Sequence, residues 1–229
     1  MGFIFEPYME TLRTCPLFYR IAEPDLRAAL GCLGARSAGY NRGETILAEG
    51  GPAKDIGILL SGAAQIVRID YLGNRSIVAG IEPGELFGES FACAGVAQMP
   101  VGVIASGATQ VMLIDCMKAI RPCGNACGFH QQLIYNLLGV VARKNLVFHQ
   151  KIEITSKRTT REKLMAYLLQ QAKKYQSDCF EIPYNRQELA DYLEVDRSGL
   201  SVEIGKLCKQ GIIRADRKKF TIIQQRNQL

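Results

Sequence analysis

Between Asn41 and Asp115 the chain is punctuated by glycine, at positions 43, 51, 57, 62, 73, 84, 88, 95, 102 and 107. The stretches between them are short and apolar, as in Ile56–Leu60, Gln65–Ile69 and Val111–Ile114. Short apolar runs at a spacing of about 8–12 residues, separated by turn residues, predict an antiparallel barrel or sandwich. Tyr71-Leu-Gly-Asn-Arg75 reads as a hairpin tip, because Gly73 and Asn74 tolerate the positive φ such turns need. Ahead of this region, residues 1–37 show short helical patterns with Pro16 and Pro24 marking turns.

A second texture begins at Pro122, a residue favoured in the first turn of a helix. Ile134, Leu138, Val141, Asn145, Phe148 and Ile152 follow in steps of 4, 3, 4, 3 and 4. That is a heptad seam, and a polar Asn145 within it can fix register between two helices. Leu133, Leu137, Val140 and Val147 form an adjacent apolar stripe, suited to packing on the chain's own barrel. One amphipathic helix buried in a monomer is the plainer alternative, but two stripes imply two partners. The seam residues are therefore expected to form a homodimer interface.

The last third has a third texture. After a polar, basic hinge at Thr155–Thr159, an amphipathic helix is predicted from Thr160 to Tyr175, then an extended piece at Phe180–Pro183. Asn185 can cap a helix through Leu193, with Glu188 completing a capping-box-like pattern. Glu194-Val195 makes a tight turn, Asp196 caps a helix through about Gln210, and Gly211 ends it. Ile212-Ile213 and Phe220–Ile223 flank the basic turn Arg214–Lys219. Helix, tight turn, helix and basic hairpin make a winged helix-turn-helix.

Charge follows the same division. From Thr155 onward there are fifteen basic and nine acidic residues, whereas residues 1–154 balance at thirteen of each. The whole net charge of +6 thus lies in the last third, where phosphate contacts need it. Arg197, Ser198 and Ser201 stand at the start of the second helix, where a recognition helix meets base edges. Lys206, Arg214 and Lys218 are placed nearer phosphates, and Arg186, Gln187 and Asp196 complete the expected DNA-binding set. Three segments result: residues 1–122, a sensing domain with N-terminal helices; 123–154, a central helix; and 155–229, the DNA-binding domain.

Composition excludes several classes. With 229 residues, 48% hydrophobic and 22% charged, the chain can bury a core without a cofactor, metal or disulfides. No apolar run reaches the roughly 18 residues of a membrane span, and the N-terminus lacks the basic region of a signal peptide. A cytoplasmic protein without membrane contact is expected, with its eight cysteines reduced. Only His130 and His149 are present, and neither lies in the barrel segment. Metal sites of three histidines, and a cupin-like metalloenzyme, are thereby excluded. The different-class alternative is a thiol-redox or metal-binding protein using Cys123 and Cys127, without operator-specific DNA binding. Their spacing is not Cys-x2-Cys, and no βαβ pattern supports it.

Taken together, Gly43-Glu-Thr-Ile-Leu47, Ser61-Gly62, Gly84-Glu-Leu-Phe-Gly-Glu89, the long helix, Asn185-Arg-Gln-Glu-Leu-Ala190 and Val195-Asp-Arg197 resemble the CRP/FNR transcription regulators over nearly the whole chain. The resemblance implies an α+β fold: an antiparallel, jelly-roll-like β-roll that senses an effector, a dimerising central helix and a winged helix-turn-helix. It also implies a non-enzymatic homodimer on palindromic double-stranded DNA, with RNA polymerase as a candidate partner. An effector pocket would involve Gly88, Glu89, Ser90, Met99, Pro100, Phe148 and His149. In cyclic-AMP-binding members an Arg-Ser pair about ten residues beyond the Gly-Glu motif holds the phosphate. Those places hold Met99 and Pro100, whose side chains cannot donate a hydrogen bond, so cyclic AMP is not expected and the effector is unknown. A more apolar or uncharged small molecule fits better.

Two further departures concern the recognition helix and the cysteines. Many members carry a second Arg five residues after the first, where Val202 stands here. The oxygen-sensing branch bunches cysteines near its N-terminus, where only Cys15 and Cys32 lie. Instead Cys116, Cys123, Cys127 and His130 cluster near the start of the central helix. If the stretch is helical, the last three share one face and could act as a redox or metal switch; a buried structural stripe is the alternative.

Overall fold

A computed structural model of the chain describes residues 4–121 and 127–223. Close packing divides the chain into two units, Met1–Gly73 with Val78–Asn145, and Asn74–Ile77 with Leu146–Leu229.

The first unit opens with the helices α1 (Met9–Thr14) and α2 (Glu23–Cys32). Two four-stranded antiparallel sheets follow. One is ordered β1 (Arg36–Tyr40), β8 (Thr109–Asp115), β3 (Asp55–Ser61) and β6 (Leu86–Phe87). The other is ordered β2 (Thr45–Leu47), β7 (Gly102–Ala105), β4 (Ala64–Ile69) and β5 (Arg75–Ile81). Glycine-spaced apolar runs predict an antiparallel barrel or sandwich, and the two sheets form the β-roll that the resemblance implies. The β4–β5 connection contains Gly73 at φ 81°, while Asn74 is not among the residues of positive φ.

Alternation along the strands makes two cores from one sheet. On β3, Ile56, Ile58 and Leu60 join a cluster with Leu12, Leu17, Leu26 and Leu30 of the N-terminal helices. Leu59 faces the other way, into the space between the sheets with Ile66, Phe87, Met99, Val103, Val111 and Leu113. Gly57 faces the same way, and a Cβ there would fall inside the ring of Phe87, its cross-strand partner. Only glycine lets this ring enter the roll.

Two short helices interrupt the strands: α3 (Glu89–Ala94) after β6, and α4 (Cys116–Ile120) after β8. The long helix α5 runs from Phe129 to Thr155. Its residues Leu133, Leu137 and Val140 are buried in the cluster shared with α1, α2 and β3. The expected fourth member of that stripe, Val147, is exposed. The helical step that precedes it on the same face falls on Lys144, which is held by a carboxylate, and the first unit ends at Asn145.

The second unit contains α6 (Thr160–Tyr175), β9 (Cys179–Glu181), α7 (Arg186–Leu193), α8 (Arg197–Lys209), β10 (Ile213–Asp216) and β11 (Lys219–Ile222). Thr159 and Glu162 form a reciprocal capping box that starts α6, and Asn185 and Glu188 form one that starts α7. The strands make an antiparallel sheet ordered β10-β11-β9. Tyr167 of α6, Tyr192 of α7 and Tyr184 between β9 and α7 form an aromatic group with centroids 5.0–6.4 Å apart.

Candidate functional site

The start of α8 is built by Asp196, whose carboxylate accepts the Gly199 N–H at 2.7 Å. This satisfies a donor that the first helical turn leaves open. Glu194 closes α7 in the left-handed region at φ 54°, and the Val195 N–H donates to the Ala190 carbonyl at 3.1 Å. With that turn fixed, Leu200, Ile204 and Leu207 are buried on one side of α8, as are Leu189, Ala190 and Leu193 of α7. Arg197, Ser198 and Ser201 at the start of α8 are exposed, as are Val202, Gly205, Lys206 and Lys209 further along. The Ser201 hydroxyl donates back to the Arg197 carbonyl at 2.9 Å. Arg197 is therefore the long side chain of the exposed first turn, and Lys206 and Lys209 follow towards the helix end.

The hairpin β10–β11 adds exposed Arg214, Arg217 and Lys219. Arg217 turns it at φ 50°. Other members of the expected DNA-facing set are engaged within the unit. Lys218 donates to the Pro183 carbonyl at 2.6 Å, and Gln187 donates to Asp191 at 2.8 Å. Arg186 is half-buried, its guanidinium 5.8 Å from the Phe220 ring centroid, and burial holds its pKa below the usual range. Lys206 pairs with Glu203 at 3.3 Å, and Arg161 reaches the same carboxylate at 3.6 Å. Lys209, Arg217 and Lys219 were not singled out from the sequence. The 3.6-residue period places Lys209 on the face of Ser198 and Val202, which was the available signal.

Residues 39–118 match the family model for the cyclic nucleotide-binding domain, and residues 162–229 match that for the Crp-like helix-turn-helix domain. The two segments together span well over half of the chain, in this order, with α5 between them. The chain belongs to the CRP/FNR family. Members of this family are DNA-binding transcription regulators and not enzymes. Among solved structures, FixK2 of Bradyrhizobium japonicum is 21% identical, with 83% of this chain and 93% of that one covered at a TM-score of 0.65. The c-di-GMP-responsive regulator CLP of Xanthomonas campestris is 14% identical, with 89% and 100% covered at 0.73. A CRP-family transcriptional regulator of Thermus thermophilus is 18% identical, with 82% and 92% covered at 0.61. At these identities the likeness is one of fold. A search of curated proteins by sequence returns no match.

In this CRP/FNR chain the roll carries a second candidate site at the start of α3. Gly88 adopts φ 77°, and a Cβ there would crowd the Asp55 carbonyl and Leu47, each at 3.1 Å. The turn delivers Glu89 into the interior at 2% exposure. Its Oε1 is 2.9 Å from the Lys144 ammonium of α5, and the Ser90 hydroxyl donates to the same oxygen at 3.2 Å. Its Oε2 is buried without a hydrogen-bond partner. Met99 is buried in the core between the sheets, its N–H donating to the Gly51 carbonyl and its carbonyl accepting from Gly50, each at 2.8 Å. Pro100 is exposed, and Phe148 and His149 lie on the part of α5 that belongs to the second unit. Lys144 escaped the sequence reading, although a lysine in register with Leu133, Leu137 and Val140 signals a buried carboxylate partner.

Of the expected cysteine cluster the structure describes Cys116, Cys127 and His130. Cys123 lies outside the described residues. Cys127 is half-buried and precedes α5. His130 is buried, stacked on Phe129, with Nε2 3.3 Å from the Lys118 carbonyl and Nδ1 without a partner. Cys116 lies beside Cys93 of α3, with 3.6 Å between the sulfurs. Among the described residues no group of three or more His, Cys, Asp or Glu side chains could hold a metal ion, and no helix is long and apolar enough to cross a membrane.

Proposed function

We propose that this CRP/FNR protein works as a homodimer that binds a palindromic operator and answers to a signal other than cyclic AMP. The observation that carries the reading is the exposed start of α8: Arg197, with Ser198 and Ser201 beside it, held outward by the Asp196 cap. A guanidinium there can hydrogen-bond a guanine through two donors, while Val202 can offer only apolar contact, for instance to a thymine methyl. Arg214, Arg217 and Lys219 of the wing are suited to phosphates.

Support for the dimer comes from α5. Ile134, Leu138, Asn145 and Ile152 are exposed along one line, with Val141 and Phe148 half-buried between them. Leu138 at 67% and Ile152 at 61% exposure are apolar surface that a second copy would cover. Two-fold symmetry of the protein then implies two-fold symmetry of the DNA. RNA polymerase is a further partner in this reading.

Against a cyclic nucleotide stand the same residues that departed from the family pattern. Met99 spends its side chain in the core and Pro100 has no donor, so neither side chain can anchor a phosphate. An uncharged ligand carrying a hydrogen-bond donor would suit the unpartnered Glu89 Oε2. Selection of DNA from a random pool with the purified full chain tests the reading, and enrichment of a two-fold symmetric sequence is expected. Calorimetry with cyclic AMP and cyclic GMP tests the signal. Micromolar binding of either would overturn that part.

A further inference from the structure

We propose that Cys93 and Cys116 form a reversible intramolecular disulfide, a redox modification site that ties α3 to α4 within the roll. Cys93 is the fifth residue of α3 and Cys116 the first of α4, and their sulfurs are 3.6 Å apart. A disulfide bond is about 2.05 Å long, so roughly 1.5 Å of approach closes it. Both helices are short, six and five residues, and Cys93 is exposed on α3, so its side chain can supply that approach.

The two thiols differ in access. Cys93 is exposed, whereas Cys116 is 1% exposed and belongs to the core cluster. That is the arrangement of an attacking and a resolving thiol. With a low-molecular-weight disulfide such as oxidised glutathione as oxidant, the Cys93 thiolate attacks one glutathione sulfur. A mixed disulfide forms and one glutathione thiolate leaves, taking up the proton released at Cys93. The Cys116 thiolate then attacks Cys93 Sγ and expels the second glutathione thiolate, which takes the second proton. Two protein thiols are oxidised and one glutathione disulfide is reduced to two thiols. Excess reduced thiol runs the same steps backwards.

Burial pushes both thiols up, Cys116 to about 12, with Cys93 and the Asp115 carboxylate adding to the rise there and the Glu89 carboxylate adding to it at Cys93. Thiolate is therefore scarce near neutral pH, and exchange with dissolved disulfide is slow. Contact between the sulfurs favours the second step, because it is intramolecular. The rate of disulfide formation should climb about tenfold per pH unit below the pKa, because only the thiolate attacks.

The consequence for DNA rests on the function proposed above; the chemistry does not. The first residue of α3 is Glu89, which is paired with Lys144 of α5. Fixing α3 to α4 therefore acts at the residue that the roll presents to the central helix.

The experiment is to incubate the folded full chain with oxidised glutathione at pH 7 and 8.5, block remaining thiols, and map peptides without reductant. A peptide linked through Cys93 and Cys116, formed faster at pH 8.5 and lost on adding dithiothreitol, is expected. Cys93→Ser, at an exposed position, should abolish it without changing the circular dichroism spectrum. A folded chain that gives no such peptide, that stops at a glutathione adduct on Cys93, or that links Cys123 to Cys127 instead overturns the proposal. On the selected DNA, oxidation should change affinity by about threefold or more in the parent and leave Cys93→Ser unmoved. Equal affinity in both redox states overturns the regulatory half. No DNA binding in either state defeats the function reading and leaves the disulfide standing.

Discussion

The ammonium of Lys144 lies 2.9 Å from the carboxylate of Glu89, joining the middle of α5 to the first residue of α3. Glu89 is the more deeply buried of the two, at 2% side-chain exposure against 27% for Lys144. A carboxylate so placed depends on its partner, since the desolvation cost of an unpaired buried charge is several kcal/mol. Lys144→Met should accordingly destabilise the roll by about 3 kcal/mol, and adding Glu89→Gln should recover much of the loss. Urea unfolding of the single and double variants, followed by circular dichroism, measures both effects. A double variant no better than Lys144→Met would show that the ion pair is not the origin.

Base reading and phosphate contact should separate by variant. Arg197→Ala is expected to cost about 1–3 kcal/mol of operator affinity and to relax selectivity at one base pair of each half-site. Arg214→Ala should weaken all sequences alike and reduce the salt dependence of binding by about one phosphate contact. Binding titrations across a salt series, on the selected sequence and single-base variants, distinguish them. Equal, sequence-blind losses in both proteins would contradict the assignment.

Arg186 and Lys218 should behave as structural residues more than as DNA contacts. Lys218 donates to the Pro183 carbonyl, and Arg186 lies beside the Phe220 ring. Replacing either by Ala should lower thermal stability of the second unit by about 1 kcal/mol, whereas Arg214→Ala should stay within about 0.5 kcal/mol of the parent. Melting curves of the three variants provide the comparison.

The exposed line on α5 should carry self-association. Leu138→Asp with Val141→Asp places two charges where a second copy would have to bury them, and should yield a monomer at concentrations where the parent is a dimer. Sedimentation equilibrium decides, and unchanged mass would mean that the seam is not the interface.

Lys151 should leave a signature in alkaline solution. Its ammonium lies 3.5 Å from the Tyr192 ring centroid and donates to the Tyr192 carbonyl. Burial is the main cause that pulls its pKa from 10.5 down to about 8, with nearby Glu194 opposing and Lys163 reinforcing the fall. Between those values the unfolded chain binds the extra proton and the folded chain does not, so stability contributed by this group rises with pH from about 8 to 10.5. Below pH 8 the burial cost is present in full. The difference in unfolding free energy between the parent and Lys151→Met should therefore drift in favour of the parent by on the order of 1–3 kcal/mol across that range. A flat difference would place the lysine's titration elsewhere.

Features written into consecutive residues were legible from the sequence. Asn185 with Glu188 marks a helix start because both halves of the capping box fall within one turn. The reciprocal Thr159–Glu162 box at the start of α6 is equally local, although the sequence marked Thr159 only as part of a hinge. What escaped were pairs made by the fold. Cys93 and Cys116 are 23 positions apart, and Glu89 and Lys144 are further still. Nothing local distinguishes such a cysteine or lysine from any other until the strands and helices between have been laid down. Lys218 and Arg186 carried the charge of DNA contacts, but carbonyl and ring partners from other elements engage them. Met99 stood at an effector position by counting, and its apolar side chain was drawn into the space between the sheets.

The absence of a side chain at Gly57 makes positions 57 and 87 a single inherited choice. Phe87 is wholly buried over the bare backbone of its cross-strand partner. A relative that acquired even a methyl group at 57 would have to surrender the ring at 87 in the same lineage, and one that kept the ring could not vary at 57. Across relatives, positions 57 and 87 should therefore change together or not at all.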